Sequence, residues 1–286
     1  MNIRFMTQIE TALGTRVLRH TNLPVGFGLT GLRLELADGR MAALKASTEH
    51  DDHSLTTEAF MLHELKSHSS LPVPEVYYSD EQLLIMQWLP ADGSITPRVQ
   101  HHAAELLADL HGHPFEYFGY KRDTLIGPLH QPNPHTDKWL SFFRDHRLLY
   151  MAKEALKEHA LPQKLYDRLE KLADQLAQHL YEPAHPSLLH GDLWSGNIIA
   201  GKNGIRGFID PAIYCGHPEI ELAFTTMFNT FSTPFFEAYE AITPLEPGFF
   251  EERREIYNLY PTLVHVRLFG ASYLPSIDRV LHELGY

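Results

Sequence analysis

The stretch His190-Gly-Asp192-Leu-Trp-Ser-Gly-Asn197, with Asp210-Pro211-Ala212 thirteen positions beyond it, decides how the chain reads. Ser187-Leu-Leu189 in front of it is a short apolar strand ending at His190. Behind it, Ile198-Ile-Ala200, a turn at Gly201-Lys-Asn-Gly204 and the apolar run 205–209 form a hairpin that delivers Asp210. The two acids are therefore expected at the two ends of one small β element. Asp192 can accept the proton of an attacking hydroxyl. Asn197 offers a neutral carbonyl oxygen to a hard cation without adding negative charge near a polyphosphate, and Asp210 supplies the carboxylate that joins cation to phosphate. Groups of these kinds, held on rigid strands, are what phosphoryl transfer needs.

The Asp-to-Asn spacing matches the catalytic loop of protein kinases, in which Mg2+ and ATP meet, and the chain upstream agrees. Leu32-Arg-Leu34-Glu-Leu36 alternates, Asp38-Gly39 turns, and Met41-Ala-Ala-Leu-Lys45 returns, so Lys45 ends the second strand of a hairpin. Residues 56–68 read as a helix with Thr56 or Thr57 at its start and Met61, Leu62 and Leu65 as its apolar stripe. Glu58 lies on that inward face and needs a cation, for which Lys45 stands ready; the pair would aim the ammonium at the α/β-phosphates. Before the hairpin, Pro24-Val-Gly26-Phe-Gly28-Leu-Thr-Gly31 allows backbone to approach a phosphate, with Gly26 and Gly28 the contact positions. No Lys-Ser/Thr follows, so it is not a Walker A loop. Residues 83–89 read as a buried strand whose end, Gln87-Trp88-Leu89, is placed to meet an adenine.

Strands dominate before the break at Pro90-Ala-Asp-Gly-Ser and helical periods dominate from about residue 98. The expectation is an α+β, bilobal fold: a small β-rich nucleotide-binding lobe over residues 1–90 and a larger, mainly helical lobe over 91–286. The 286 residues are 44% hydrophobic and 11% aromatic, which excludes a disordered chain. The net charge of −12 argues against nucleic acid or an anionic membrane as partner. A single cysteine, Cys215, and no apolar run near the ~18 residues of a membrane span point to a cytoplasmic protein. The 19 histidines show no metal spacing; His101, His102, His111 and His113 read as solvated or capping residues.

Taken together, His190–Asn197 and the run Asp210-Pro-Ala-Ile-Tyr-Cys-Gly-His-Pro-Glu-Ile-Glu-Leu-Ala223 resemble the fructosamine kinases, or ketosamine-3-kinases, of the aminoglycoside-phosphotransferase-like branch of the protein-kinase fold. Phe118-Gly, Pro132-Asn133, Trp139, Phe142-Phe143, Arg147, Pro247-Gly-Phe and Arg267-Leu-Phe-Gly270 extend the resemblance over most of the chain. It implies transfer of the ATP γ-phosphate to the C3 hydroxyl of a fructosamine or ribulosamine, free or on a protein lysine, and hence deglycation. It further implies Asp192 as base, Asn197 and Asp210 as Mg2+ ligands, and Lys45 with Glu58 as the phosphate clamp. Trp194 and the region 132–147 would contact the substrate, while Trp139 reads as a core aromatic. The glycine loop departs from the paired glycines of relatives, His135 stands near a frequent Trp, and Gln87 replaces a frequent hinge Glu. Two rivals stand beside this reading: a kinase of the same branch acting on an aminoglycoside, choline or a sugar, and a nucleotide-binding pseudokinase. Oligomeric state is not legible.

Overall fold

The structure, a computed structural model, describes residues 3–47 and 54–286. By its internal contacts the chain divides into two compact units, Met1–Val99 with Asn197–Pro211, and Gln100–Gly196 with Ala212–Tyr286.

The first unit opens with helix α1 (Ile3–Leu13), followed by strands β1 (Val17–Leu23), β2 (Thr30–Leu36) and β3 (Met41–Ala46). Helix α2 (Ser54–His68), β4 (Val76–Ser79) and β5 (Leu83–Gln87) complete it. The strands form one antiparallel sheet in the order β1-β2-β3-β5-β4. Its composition explains the layering. Leu32, Leu34 and Leu36 alternate onto one face with Ala42, Leu44, Leu83 and Ile85, and Ile9 and Leu13 of α1 cover them. Leu84 and Met86 point to the other face, where Leu55, Ala59 and Leu62 of α2 meet them. Because β5 is buried on both faces, it reads as an unbroken apolar run.

The 56–68 helix begins two residues earlier than its sequence suggests, at Ser54. The strand expected over 83–89 stops at Gln87, because Trp88 takes the carbonyl of Met41, the first residue of β3, and the ladder runs out there. The hairpin strands Ile198–Ala200 and Ile205–Phe208 also belong to this unit. Gly93 N donates to Ala200 O at 3.1 Å and Phe208 N to Pro72 O at 2.8 Å. Gly207 leaves room for Leu89, whose Cδ1 would lie 2.4 Å from a β-carbon there. Residues 91–99 and 197–211 thus group with the strands, whereas a division after residue 90 assigns both segments to the helical part.

The second unit is mainly helical, with Pro97–Gly112 running into it and Gln163–Asp174, Pro218–Met227, Arg254–Phe269 and Leu274–Glu283 among its helices. Strand Ser187–Leu189 pairs antiparallel with Tyr214–Gly216, not with the 198–208 hairpin, so the single β element expected around the two acids is two separate ribbons. Gly119 and Cys215 exchange both backbone hydrogen bonds, at 2.9 and 2.7 Å, which extends the second ribbon. Trp139, Phe142, Phe143 and Tyr257 fill the core, the indole N–H donating to the Tyr257 hydroxyl at 3.0 Å. Arg147 lies buried beside them, donating to Pro132 O and Asn133 Oδ1 at 2.8 and 2.6 Å with its guanidinium 3.8 Å from the Tyr214 ring centre. These side chains of the 132–147 region are interior and act as scaffold, whereas Pro134, His135, Asp137 and Lys138 of the same region are exposed.

Candidate active site

In the first unit the alternation of β3 sets Lys45 on the same face as Ala43, which packs against the α2 cluster. Glu58, three residues after Leu55 and four before Leu62, looks back at it from α2. Lys45 Nζ donates to Glu58 Oε1 and Oε2 at 2.8 and 2.9 Å, and to Asp210 Oδ1 at 2.6 Å. One ammonium therefore serves two carboxylates, and with both of them ionised the trio carries one uncompensated negative charge. Burial opposes the charge on Lys45, but the two carboxylates outweigh it and raise the ammonium above the ordinary lysine range. Burial pushes the Glu58 carboxyl up, to about 7, against the pull of Lys45, and the charge of Asp210 adds to the rise.

Asp210 is held by the hairpin. Ile209 N donates to Asn197 O at 3.0 Å, and the Asn197 side-chain amide reaches toward Asp210 O at 3.5 Å. Asp210 itself adopts φ 53°, a left-handed conformation unusual for a non-glycine residue and frequent at functional sites. An Asp carboxylate and an Asn amide oxygen are hard donors suited to Mg2+, which takes few protein ligands and retains waters and phosphate oxygens. Among the described residues no group of three His, Cys, Asp or Glu could form a richer cage. The surplus negative charge around Lys45 fits the arrival of a cation at Asp210.

Gly26 and Gly28 lie in the β1–β2 connection, where a β-carbon at either would meet nothing within 4 Å, though Gly28 has φ +76°. Phe27 between them also has positive φ and is exposed. At the end of β5, Gln87 N donates to Glu75 O at 2.8 Å and Trp88 N to Met41 O at 3.3 Å.

In the second unit Asp192 follows Gly191, whose φ of +83° lets the chain turn off the strand. A β-carbon at Gly191 would stand 2.0 Å from Ala212 O, and Ala212 N donates to His190 O at 2.7 Å. The loop is tied from behind. Gly191 N donates to Glu221 Oε1 at 2.6 Å, His111 Nε2 donates to Glu221 Oε2 at 2.9 Å, and His111 Nδ1 meets the Tyr239 hydroxyl at 2.8 Å. The Asp192 amide donates to His190 Nδ1 at 3.4 Å. Trp194 is 40% exposed and lies over Gly196, where a β-carbon would be 2.4 Å from the indole. Any side chain at Gly196 would therefore require the half-exposed indole to shift.

The Glu221–His111 support escapes sequence reasoning, and the reading of His111 as solvated or capping is corrected, since it is buried and bonded at both nitrogens. Glu219-Ile-Glu221 looks like the acidic first turn of a helix, which favours the dipole on its own account. The only signal was an apolar surround: Ile220, Leu222 and Ala223 leave Glu221 little room for solvent.

The sequence matches the model of the fructosamine kinase family over residues 4–285. A probable ketoamine kinase of Vibrio parahaemolyticus is 34% identical over 238 residues, covering 81% of each chain. A chloroplastic protein-ribulosamine 3-kinase of Oryza sativa subsp. japonica is 36% identical over 168 residues, 58% of this chain and 48% of its own. The crystal structure of a fructosamine-3-kinase candidate from Thermobifida fusca superposes with a TM-score of 0.90 at 30% identity, covering 97% of this chain and 96% of the other. An aminoglycoside phosphotransferase solved with ADP and hygromycin B shares the fold, with a TM-score of 0.68 at 15% identity over 98% of this chain and 99% of its own.

Proposed function

Because the chain belongs to the fructosamine kinase family, we propose that it transfers the γ-phosphoryl group of ATP to the C3 hydroxyl of a ketosamine, a ketose joined to an amine. The observation that carries this reading is the Lys45 ammonium gripped by Glu58 and Asp210, a charged trio suited to polyphosphate and cation. In the proposed reaction Asp192 accepts the hydroxyl proton as the C3 oxygen forms its bond to the γ-phosphorus. The bond from that phosphorus to the β–γ bridging oxygen breaks, and ADP leaves with the electron pair. Lys45, kept charged by its two carboxylates, draws on the α/β-phosphates, with Gly26 and Gly28 available to the phosphate chain and Gln87, Trp88 and Leu89 to the base. Asn197 and Asp210 would hold Mg2+, which neutralises charge on the phosphates when bound. Trp194 offers its exposed ring to the sugar.

A phosphate at C3 sits beside the ketone and is a good leaving group, so loss of a C1 proton and of the phosphate leaves an imine at C1, which water hydrolyses to a 3-deoxy dicarbonyl sugar and the free amine. Deglycation of small amines or protein lysines is therefore the proposed role. The net charge of −12 supports a partner other than nucleic acid, and a single cysteine accords with the reducing cytoplasm. Among the described residues no helix is long and apolar enough to cross a membrane. ATP consumption with a model ribulosamine and fructosamine, set against an aminoglycoside and choline, tests the assignment. Turnover confined to a ketosamine supports it; turnover confined to the antibiotic or choline ends it, and nucleotide binding with no transfer to any acceptor points to a pseudokinase.

A further inference from the structure

Seven large apolar side chains are exposed among the described residues, and three of them stand on one unbroken line of ring contacts: Trp194 at 40%, Phe228 at 37% and Phe269 at 57%. Apolar residues scattered singly over a surface need no explanation, but a connected row does. The row begins with Trp194 against Phe228, centroids 6.1 Å apart. Phe228 meets His265 at 5.1 Å, and His265 meets Phe269 at 5.3 Å and Tyr273 at 5.0 Å. Different elements build it. Phe228 caps the end of helix Pro218–Met227, and His265 and Phe269 are four apart on helix Arg254–Phe269, hence on one face. Gly270, with φ +91°, ends that helix and lets the next turn bring Tyr273 back onto His265.

The inner end of the row lies in the loop that carries Asp192. Trp194 is two residues beyond Asp192. Tyr260, on the same helix as His265 and Phe269, lines one small cavity with Gly191, the residue before Asp192. The outer end is open to solvent at Phe269. His265 is a poor cation for the row: its Nδ1–H donates to Pro261 O at 2.7 Å, and burial holds its pKa below the ordinary value, which disfavours the charged ring.

A ketosamine has two ends. The sugar end carries the hydroxyl that must lie at Asp192, so the amine end is the part that extends past Trp194. Resting on the function proposed above, we infer that Phe228, His265, Phe269 and Tyr273 seat the amine end of the substrate and select ketosamines whose amine carries an apolar or aromatic group. Ring faces attract the secondary ammonium and bury the group attached to it. Phe228, Phe269 and Tyr273 offer no positive charge to an anionic substituent.

Steady-state kinetics with the ribulose adducts of methylamine and 2-phenylethylamine test this on the full chain and on Phe269→Ala and Tyr273→Ala. The parent is expected to favour the phenylethyl adduct by at least about tenfold in kcat/KM, carried by KM, the scale of burying part of one ring. Phe269→Ala, at an exposed position, should erase most of that preference, chiefly through a raised KM for the phenylethyl adduct, with the melting temperature unchanged. Equal kcat/KM for the two adducts in the parent, or a preference that survives both substitutions, overturns the inference while leaving ketosamine phosphorylation intact. Failure of the parent to phosphorylate either adduct, with transfer to another acceptor, removes the function beneath it and the inference together.

Discussion

Replacing Asp192 by Asn keeps the outline of the side chain and removes its capacity to take up a proton. We expect kcat to fall by at least ~10² with nucleotide affinity nearly intact, since general-base catalysis contributes on the order of 10²–10⁴. Asp210→Asn should behave differently, weakening nucleotide binding as well as transfer and altering the Mg2+ dependence; a Mg2+ titration of both variants separates the two roles. Gly191→Ala should be costlier to the fold than either. It demands a left-handed backbone and sets a β-carbon 2.0 Å from Ala212 O, so a loss of roughly 2 kcal/mol or more is expected, read from urea midpoints. At this scale the sequence is most informative, because Asp192, Asn197 and Asp210 are close in the chain and their spacing is itself the pattern. It is silent about Glu221 and His111, 110 positions apart, whose pairing only the tertiary fold creates.

An element-level test is the clamp between β3 and α2. Lys45→Met leaves two carboxylates facing an apolar side chain, and breaking a buried ion pair typically costs ~3–5 kcal/mol. Because the Glu58 carboxyl is already pushed up to about 7, it can escape by taking a proton, so the loss should be greater at pH 8 than at pH 6. Urea denaturation at the two pH values measures this, and an equal loss at both would show that Glu58 does not respond. This pairing could be anticipated because both partners sit on regular elements, one on a strand of period two and one on a helix of period 3.6. The β2–β3 hairpin was legible for the same reason, through Leu32, Leu34 and Leu36 and the turn at Asp38-Gly39. β1 was not: five of its seven residues are exposed, so no alternation marks it. The partner of Ser187–Leu189 was hidden too, since Tyr214–Gly216 is three residues long and lies far along the chain.

Across the whole molecule, acid sensitivity should be governed in part by His217. Its Nδ1 accepts from Glu219 N at 3.1 Å to cap helix Pro218–Met227, amid the rings of Trp139, Tyr181 and Tyr257. Burial first, then the charges of Arg253 and His111, lower its pKa to about 3. The unfolded chain binds this proton near pH 6.5 and the folded one does not, so the stability His217 confers is complete above pH 6.5 and is lost as pH falls toward 3. Between pH 7 and 4.5 this residue accounts for about 2 kcal/mol of the loss, and His217→Asn, which retains a capping acceptor, should flatten the profile by that amount. Urea midpoints across that range decide it. The broad order of strands before helices was visible in composition alone, but the passage of residues 197–211 into the strand-rich unit was not, because sequence position does not report which neighbours a hairpin will bond. Cys215 gives this architecture a practical use. The thiol is wholly buried, burial pushes its pKa far above the usual cysteine range, and its strand pairs with the one that leads into the Asp192 loop. As the chain's sole cysteine it is a single built-in clock: a thiolate-specific dye can react only when that ribbon opens, so labelling kinetics would time the opening events behind the loop without any engineered probe.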